Sequence, residues 1–326
     1  MESILDSPLQ PELNKLNERI LRIKQEIAKA VVGQDQTIEL LLAGLLTGGH
    51  VLLEGVPGIA KTLTAKLVAK TISVDFSRIQ FTPDLMPTDV TGTTIFNTKT
   101  NEFVFNKGPV FANLVLIDEI NRAPAKTQAS LFEVMEEKQI TYDGQTYLLG
   151  FPFLVIATQN PIEQEGTYRL PEAQLDRFLF RIKLNYPNAE QELDILKKYK
   201  EDFTAKTLEN VNAVVTASEL KESLELIEKI HIKDEILQYI ANIVVRTRNN
   251  GDLSLGASPR ASLAILRASK AIAGMSGRPF VTPDDVKAVA GPVLNHRIQL
   301  TADREMEGIE AEDIIKEITE KVEVPR

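Results

Sequence analysis

One segment constrains the possible folds more than any other: residues 55–62, Gly-Val-Pro-Gly-Ile-Ala-Lys-Thr. An apolar run before it, residues 50–54, is typical of a buried strand, and residues 61–71 after it have the apolar spacing of a helix. A glycine loop between a strand and a helix directs backbone N–H groups and the positive end of the helix dipole at one point. The segment therefore predicts a loop that binds phosphate.

Two side chains at the end of this loop carry the chemistry that phosphate transfer needs. Lys61 would place its ammonium on the β- and γ-phosphates, and the Thr62 hydroxyl would bind Mg²⁺. Ala60 stands where such loops usually have glycine, and we expect a negative φ there, at the start of the helix. A chance glycine-rich turn is the alternative, but strand, loop, Lys-Thr and helix are all in register.

A pair of carboxylates follows a second apolar run, residues 114–117. Asp118 and Glu119 would then lie at the carboxyl end of a buried strand, where open α/β sheets bind ligands. Asp118 would hold Mg²⁺ through its water shell. Glu119 would accept a proton from the attacking water, a step worth ~10²–10⁴ in rate. Capping of the following helix is the alternative role for both residues.

A third apolar run, residues 153–157, leads into Thr158, Gln159 and Asn160. The Asn160 amide could orient the attacking water or contact the γ-phosphate. The alternative is a turn residue that caps its own backbone before Pro161. Asn160 supports a functional site only if the sheet places it beside Asp118.

Arginines are the remaining candidates, because phosphoryl transfer spreads negative charge over the γ-phosphate oxygens. Arg177 and Arg260 are the main ones, and Arg122 and Arg169 rank lower. Each could instead be a surface arginine paired with a neighbouring carboxylate, which is the commoner case.

The order of the patterns predicts two domains. Strands alternate with helices up to about residue 187, which indicates a parallel sheet covered on both faces. Two hairpins interrupt this order, one over residues 93–105 and one around Asp143-Gly144. From Tyr186-Pro187-Asn188 onward the spacing is mostly helical. We therefore expect a nucleotide-binding core with hairpin insertions at 1–186 and a helical domain with a linker at 187–326.

Composition excludes several classes of site. The 326 residues carry 37 Lys+Arg and 46 Asp+Glu, a net charge of −9, so global attraction to nucleic acid is absent although a local basic patch stays possible. Without cysteine there is no disulfide, thiolate metal site or Cys nucleophile, and the three histidines are scattered. No stretch approaches the ~20 apolar residues of a membrane span. The first residues show no signal peptide pattern, so we expect a cytoplasmic protein.

Five motifs, in this order, resemble those of the AAA+ ATPases and, within them, of the MoxR family: GVPGIAKT, LVLIDEINRAP, ATQNP, LPEAQLDRF and GASPRA. The resemblance covers nearly the whole chain, from Val32-Gly33-Gln34 to the last motif. It implies an α/β fold, an AAA+ P-loop core with a parallel five-stranded sheet in a three-layer αβα arrangement, plus a smaller all-α lid domain. The hairpin at 93–105 resembles the insertion within the second core helix, and the other resembles the hairpin before the first sensor.

The resemblance also implies ATP and Mg²⁺ as cofactors. Gly33-Gln34 would lie against the adenine. Lys61 and Thr62 would belong to the Walker A site, and Asp118 and Glu119 to the Walker B site, with Thr62 and Asp118 toward the metal. The expected nucleotide contacts are Gly33, Gln34, Gly55, Val56, Pro57, Gly58, Ile59, Ala60, Lys61, Thr62 and Leu63.

Three further residues correspond to family positions that assist catalysis. Asn160 matches the first sensor, and Arg177 matches the arginine finger that acts on the nucleotide of a neighbouring subunit. Arg260 matches the second sensor, which reaches down from the helical lid. Such proteins are similar in forming hexameric rings, so the resemblance implies a homo-oligomer, a hexameric ring, as the assembly.

MoxR proteins typically act as chaperone-like remodellers, often with a von Willebrand A-domain partner. The resemblance therefore implies ATP hydrolysis that drives remodelling, maturation or metal or cofactor insertion in a partner protein complex, without membrane insertion. Two alternatives stay open. The first is a nucleic-acid motor or loader, against which the net charge and the isolated Lys99 and Lys138 argue. The second is a non-hydrolysing nucleotide-dependent scaffold, against which Glu119 argues.

Overall fold

The computed structural model describes residues 8–160, 168, 170–200 and 209–325, so Arg169 lies outside the described residues. Its strands are β1 (His50–Glu54), β2 (Phe76–Gln80), β3 (Gly92–Asn97), β4 (Glu102–Lys107), β5 (Leu114–Asp118), β6 (Gln139–Tyr142), β7 (Gln145–Leu148), β8 (Leu154–Gln159), β9 (Phe178–Lys183), β10 (Leu253–Leu255) and β11 (Gln299–Leu300). Its α-helices are α1 (Gln10–Ala28), α2 (Asp35–Thr47), α3 (Lys61–Thr71), α4 (Pro87–Thr91), α5 (Ala125–Glu137), α6 (Glu172–Leu175), α7 (Ala189–Tyr199), α8 (Ala217–Glu228), α9 (Asp234–Arg248), α10 (Pro259–Met275), α11 (Pro283–Leu294), α12 (Ala302–Met306) and α13 (Ala311–Lys321). None of these helices combines the length and apolar character that a membrane span requires.

Five parallel strands form the central sheet, in the order β2-β5-β8-β1-β9. β8 lies between β1 and β5, with Leu52 opposite Ala157 and Leu116 opposite Ile156. Because all pairs are parallel, the strand ends meet at two distinct edges. We call the edge after Glu54 and Asp118 the carboxyl edge, and the edge where these strands begin the amino edge.

The central strands confirm the three strands that the apolar runs predict, and the sheet confirms the expected five-stranded α/β core. β2 and β9 were not located from the sequence pattern. In β2 only Ile79 is buried, since this strand forms one border of the sheet and carries polar side chains. An edge strand of this composition lacks the continuous apolar run that marks a central strand.

Alternate residues of the strands enter two separate hydrophobic clusters. Val51 and Leu53 pack in one cluster with side chains of α1, α2 and α3, whereas Leu52 packs in the other with side chains of α5. Successive side chains of a strand point to opposite faces of a sheet. The two clusters therefore show helices on both faces and confirm the three-layer arrangement.

Both predicted hairpins are present, as β3–β4 and β6–β7, and they touch each other. The Phe105 ring stacks on Tyr147 with ring centroids 4.5 Å apart. Phe96 and Phe103 form a cross-strand pair with centroids 5.2 Å apart, and Phe103 is 75% exposed. The joined hairpins therefore present aromatic side chains to the solvent.

Residues after 188 are mainly helical, and α10 packs against α1 and α2. The prediction of an all-helical second domain missed a small antiparallel ribbon, β10–β11. Its strands have three and two residues, too few to produce a recognisable sequence period. The sheet ends at Lys183, and the domain boundary at 187 stays a prediction.

Polar side chains that follow α11 form hydrogen bonds that connect the second domain to β9. Arg297 is buried and donates hydrogen bonds to the carbonyls of Phe178, at 2.6 Å, and Leu179, at 3.2 Å, and to Asp176 Oδ1 at 2.7 Å. The His296 ring lies 3.0 Å, through Nε2, from the Phe178 carbonyl. These side chains of the second domain thus provide hydrogen-bond partners for carbonyls of β9, a border strand. Without them the carbonyls would be buried and unsatisfied.

We expect Arg297→Met to lower the free energy of unfolding by about 3 kcal/mol, because it removes one partner of a buried ion pair and leaves carbonyls unsatisfied. Chemical denaturation would measure the loss. Arg304→Met is the matched control, since Arg304 pairs with Asp252 and Glu307 at the surface and its loss should lower the free energy of unfolding far less. Equal losses in the two variants would contradict the assignment.

Candidate functional site

The loop after β1 is fixed by close packing that requires glycine. A side chain at Gly55 would place its Cβ 2.6 Å from Ile59 Cδ1 and 2.9 Å from the Leu184 carbonyl oxygen. Gly58 has a φ of 90°, and space around its Cα is open. The loop therefore passes tightly over the end of β9 and opens toward the point where a phosphate would lie.

Ala60 differs from the sequence expectation. Its φ and ψ are 59° and 22°, in the left-handed region, although we predicted a negative φ. An alanine pays roughly 1–2 kcal/mol to adopt this left-handed conformation, whereas a glycine adopts it without that cost. The strain is retained because the residue is the N-cap of α3, and the backbone turns sharply there from the loop into the helix.

Lys61 folds back onto the loop. Its Nζ donates a hydrogen bond of 2.6 Å to the Gly55 carbonyl. Burial lowers the pKa of Lys61, and the carboxylates of Asp118, Glu119 and Glu54 oppose this shift. These three carboxylates therefore lie close enough to act on the lysine charge, as a shared phosphate site at the carboxyl edge requires.

Gln34 holds the loop from the side, a role that the sequence analysis did not identify. Its Nε2 donates to the Ile59 carbonyl at 2.6 Å, and its Oε1 accepts from the Thr64 hydroxyl at 2.7 Å. One amide thus connects the loop to the first turn of α3. Its position directly after Gly33, a glycine with a left-handed backbone, is the only sequence signal for this contact.

Beside this loop lies a cavity of about 610 Å³. Gly33 and Gln34 line it on one side, loop residues 57–60 on the second, and Gln191 and Tyr199 of α7 on the third. The Tyr199 hydroxyl donates to the Ala30 carbonyl at 2.9 Å. The volume lies within the range of cofactor pockets, and the position is the one expected for a nucleotide base.

Asp118 is buried at the end of β5 and already has two partners. Its Oδ2 accepts a 2.6 Å hydrogen bond from Arg78 Nε, and its Oδ1 accepts one of 3.2 Å from the Thr158 hydroxyl. Arg78 belongs to β2 and Thr158 to β8, so both neighbouring strands supply a donor. The sequence analysis missed both residues, because neither belongs to a recognisable local motif.

Glu119, like Asp118, is held by polar side chains of neighbouring segments. Its Oε2 accepts a 2.9 Å hydrogen bond from Gln80 Nε2 and lies 3.1 Å from Arg122 Nε. Its backbone is left-handed, with a φ of 57°, and its N–H donates to the Thr158 hydroxyl at 3.0 Å. Arg122, a lower-ranked arginine candidate, is thus a partner of the proposed water-activating carboxylate.

Asn160 directly follows β8, the strand between β1 and β5. It is half-buried, and the strand order places it between the phosphate loop and the Asp118-Glu119 pair. Neighbouring strands are ~4.8 Å apart, so the ends of β1 and β5 are ~10 Å apart. The sheet therefore brings Lys61, Asp118, Glu119 and Asn160 to one edge, as predicted.

Arg177 and Arg260 lie at the other edge. Arg177 Nη1 donates to the Phe132 carbonyl at 2.6 Å and lies 3.5 Å from Glu136 Oε2, and Arg260 Nη2 lies 3.8 Å from Glu136 Oε1. A five-residue strand separates this amino edge from the phosphate loop by ~16 Å. Arg260 therefore lies at the edge opposite to the phosphate loop of its own chain, and its role as second sensor stays a prediction.

The site fits the expected cofactors by the chemistry of its donors. Mg²⁺ prefers oxygen ligands, which the Thr62 hydroxyl and the Asp118 carboxylate supply. Across the described ranges, no group of three or more His, Asp or Glu side chains could hold a metal ion by itself. Mg²⁺ is usually bound by one or two protein groups together with phosphates and waters.

Comparison with known families agrees with this architecture. Residues 50–180 match the ATPase family associated with various cellular activities (AAA), and residues 245–318 match the AAA lid domain. A crystal structure of a presumed ATPase from Cytophaga hutchinsonii superposes with a TM-score of 0.89 and is 43% identical, with 97% of this chain and 98% of that chain covered.

Relatives match over almost the full length. Chaperone MoxR1 of Mycobacterium tuberculosis is 43% identical, with 98% of this chain and 84% of the relative covered. Protein MoxR of Methylorubrum extorquens is 31% identical, with 93% and 94% covered. An uncharacterised protein of Bacillus subtilis, YeaC, is 46% identical, with 97% and 96% covered.

Because Ala60 is left-handed, we expect Ala60→Gly to raise the free energy of unfolding by about 0.5 kcal/mol, the released strain exceeding the added entropy of the unfolded chain. Ala241→Gly in the interior of α9 is the control and should lower it by about 1 kcal/mol. Chemical denaturation of both variants gives the comparison. A loss of stability in both would mean that Ala60 carries no backbone strain.

Proposed function

The chain belongs to the MoxR family of AAA+ ATPases, and on that basis we propose that it hydrolyses ATP with Mg²⁺ to drive chaperone-like remodelling of a partner protein complex. Such remodelling includes maturation of the partner or insertion of a metal or cofactor into it. The relative named Chaperone MoxR1 supports the chaperone-like part of the proposal.

One observation carries the hydrolysis part: three strand ends at the carboxyl edge present a phosphate loop, a carboxylate pair and an amide. Lys61 follows β1, Asp118 and Glu119 follow the core of β5, and Asn160 follows β8. A phosphate-binding protein without turnover would need the loop but has no use for a second carboxylate at this edge.

Each side chain at the carboxyl edge would have a distinct task. Lys61 would leave the Gly55 carbonyl and bind phosphate oxygens instead. Glu119 would accept a proton from the attacking water, which Asn160 would orient. Thr62 and Asp118 would hold Mg²⁺, whose charge would supply electrostatic stabilisation of the phosphates. The contacts of Glu119 with Gln80 and Arg122 would have to loosen first, so we assign them to a resting state.

The two arginines at the amino edge are proposed to act on the nucleotide of a neighbouring subunit. Arg177 as arginine finger and Arg260 as second sensor both lie against Glu136, at the edge opposite to the loop of their own chain. An arginine inserted at the γ-phosphate is worth ~10³–10⁵ in rate. A single subunit would therefore have an incomplete site, which gives a physical reason for a ring.

We propose a hexameric ring as the assembly, and the joined hairpins as the part that contacts the protein client. Phe96, Phe103 and Leu148 are exposed there, and the hairpins stack on one another through Phe105. Movement of one hairpin would then move the other. A von Willebrand A-domain protein is the proposed partner, on the basis of the family resemblance alone.

Two other functions have less support. A nucleic-acid motor would need a basic surface, but the net charge is −9, and Lys107, one of the hairpin lysines, already lies over the Phe111 ring. A scaffold that only binds nucleotide would leave Glu119 without a task. If duplex DNA at moderate salt strongly stimulated ATP turnover, the nucleic-acid function would replace the one proposed.

We expect Glu119→Gln to bind ATP as the unaltered protein does while turnover falls about 10²-fold or more, because the water loses its proton acceptor. Phosphate release and binding of a fluorescent ATP analogue would measure the two effects. Glu133→Gln, which neutralises an exposed carboxylate of α5, is the control and should keep its turnover. Unchanged turnover in Glu119→Gln would remove that residue from the mechanism.

Mixing two inactive variants tests whether Arg177 acts between subunits. Lys61→Ala should lose nucleotide binding, and Arg177→Ala should lose turnover about 10³-fold. A 1:1 mixture should regain activity at roughly a quarter of its sites if subunits exchange at random. A protein that carries both substitutions should regain no activity when it is mixed with either single variant. Absence of recovery, with mixed oligomers shown by differential tagging, would argue against action in trans.

A further inference from the structure

The Arg78–Asp118 ion pair places a positive charge where the proposed metal would act. Arg78 Nε lies 2.6 Å from Asp118 Oδ2, on the carboxylate that is buried at the end of β5. The carboxylate side chain is only 10% exposed, whereas the arginine side chain is 54% exposed. One partner is therefore fixed in the sheet, and the other can turn away into solvent.

The other contact of Asp118 leaves Oδ2 as the oxygen that is available to a metal ion. Oδ1 accepts the Thr158 hydroxyl, which comes from the neighbouring strand and is buried. Oδ2 therefore remains for a metal ion or for a water of its shell, and Arg78 occupies that oxygen. A guanidinium and a divalent cation on the same carboxylate oxygen repel each other in a partly buried site.

We propose that Arg78 is a displaceable internal cation that competes with Mg²⁺ for Asp118, so that the pair opens only when metal and nucleotide bind together. Nucleotide alone would contact the loop and leave the pair intact, whereas the metal would take over the carboxylate. By linkage, the pair weakens metal binding as much as the metal weakens the pair. This inference rests on the proposed function, since it takes Asp118 as a metal-binding group.

The neighbouring cations do not compete with Mg²⁺ for Asp118 in this way, because they contact other groups. Arg122 lies on Glu119, and Lys61 is hydrogen-bonded to the Gly55 carbonyl. Arg78 also differs by its place in the chain, because β2 leads through α4 into the β3–β4 hairpin. Release of Arg78 would therefore free a side chain on the strand that precedes the proposed client-binding insertion, and the metal-loaded state would differ from the metal-free state at that side chain.

Mn²⁺ titrations followed by electron paramagnetic resonance test this, in the presence of a non-hydrolysable ATP analogue. We expect Arg78→Gln to bind Mn²⁺ about two- to fivefold more tightly than the unaltered chain, the range of a largely exposed ion pair. Arg78→Lys, which keeps a cation, should lie closer to the unaltered protein. Arg304→Gln, which removes a charge in the second domain, should show no change. Binding of the metal-free analogue should be the same in all four proteins.

The outcomes separate the competing accounts. Unchanged or weaker Mn²⁺ binding by Arg78→Gln, with normal binding by the unaltered protein, would overturn the competition while leaving the ATPase proposal standing. Weaker binding of the metal-free analogue by Arg78→Gln would instead make Arg78 a phosphate contact and also overturn it. If the unaltered chain bound neither analogue nor Mn²⁺, the proposed function itself would fail. Thermal unfolding of each variant checks that the fold is retained.

Discussion

Hydrogen bonding among β1, β8 and β5 is the constraint on which the rest of the structure depends. The parallel register of these strands sends three chain segments out at the same edge, so the loop with Lys61, the Asp118-Glu119 pair and Asn160 converge without any direct sequence proximity. The strands are buried on both faces by two separate apolar clusters. A shift of one residue in any strand would exchange the side chains that enter the two clusters and move the functional group along the edge.

The features that the sequence predicted share one property: they are encoded by local runs. Residues 51–53, 114–117 and 153–157 are apolar throughout, and β1, β5 and β8 coincide closely with these runs. The turn at Asp143-Gly144 adopts the positive φ angles that its residue types tolerate. The loop and the carboxylate pair could be predicted for the same reason, since each follows such a run directly.

What the sequence did not predict depends on contacts between distant segments. The β2 strand has a mixed polar sequence because it borders the sheet, and its Arg78 and Gln80 face carboxylates about 40 residues away, a pairing that only the β2–β5 register creates. Ala60 is a different case. Its residue type favours negative φ, but the loop and α3 together impose a left-handed backbone, so tertiary structure overrides the local preference.

The distribution of charge between the two edges also decides what one chain can do alone. At the carboxyl edge, Asp118 and Glu119 are paired with cations of the same chain, and at the amino edge Arg177 and Arg260 share Glu136. The carboxylates at the carboxyl edge are therefore paired one to one within the chain, whereas the arginines at the amino edge share a carboxylate. Arg297 extends the second set, because it bonds to Asp176, which is also 3.9 Å from Arg260, and so couples the arginines to the junction between sheet and second domain. Assembly that places a phosphate against the amino edge would exchange these internal pairs for contacts between subunits. Only the difference in free energy between old and new pairs would contribute to assembly of the proposed ring, so we expect that association to respond to nucleotide.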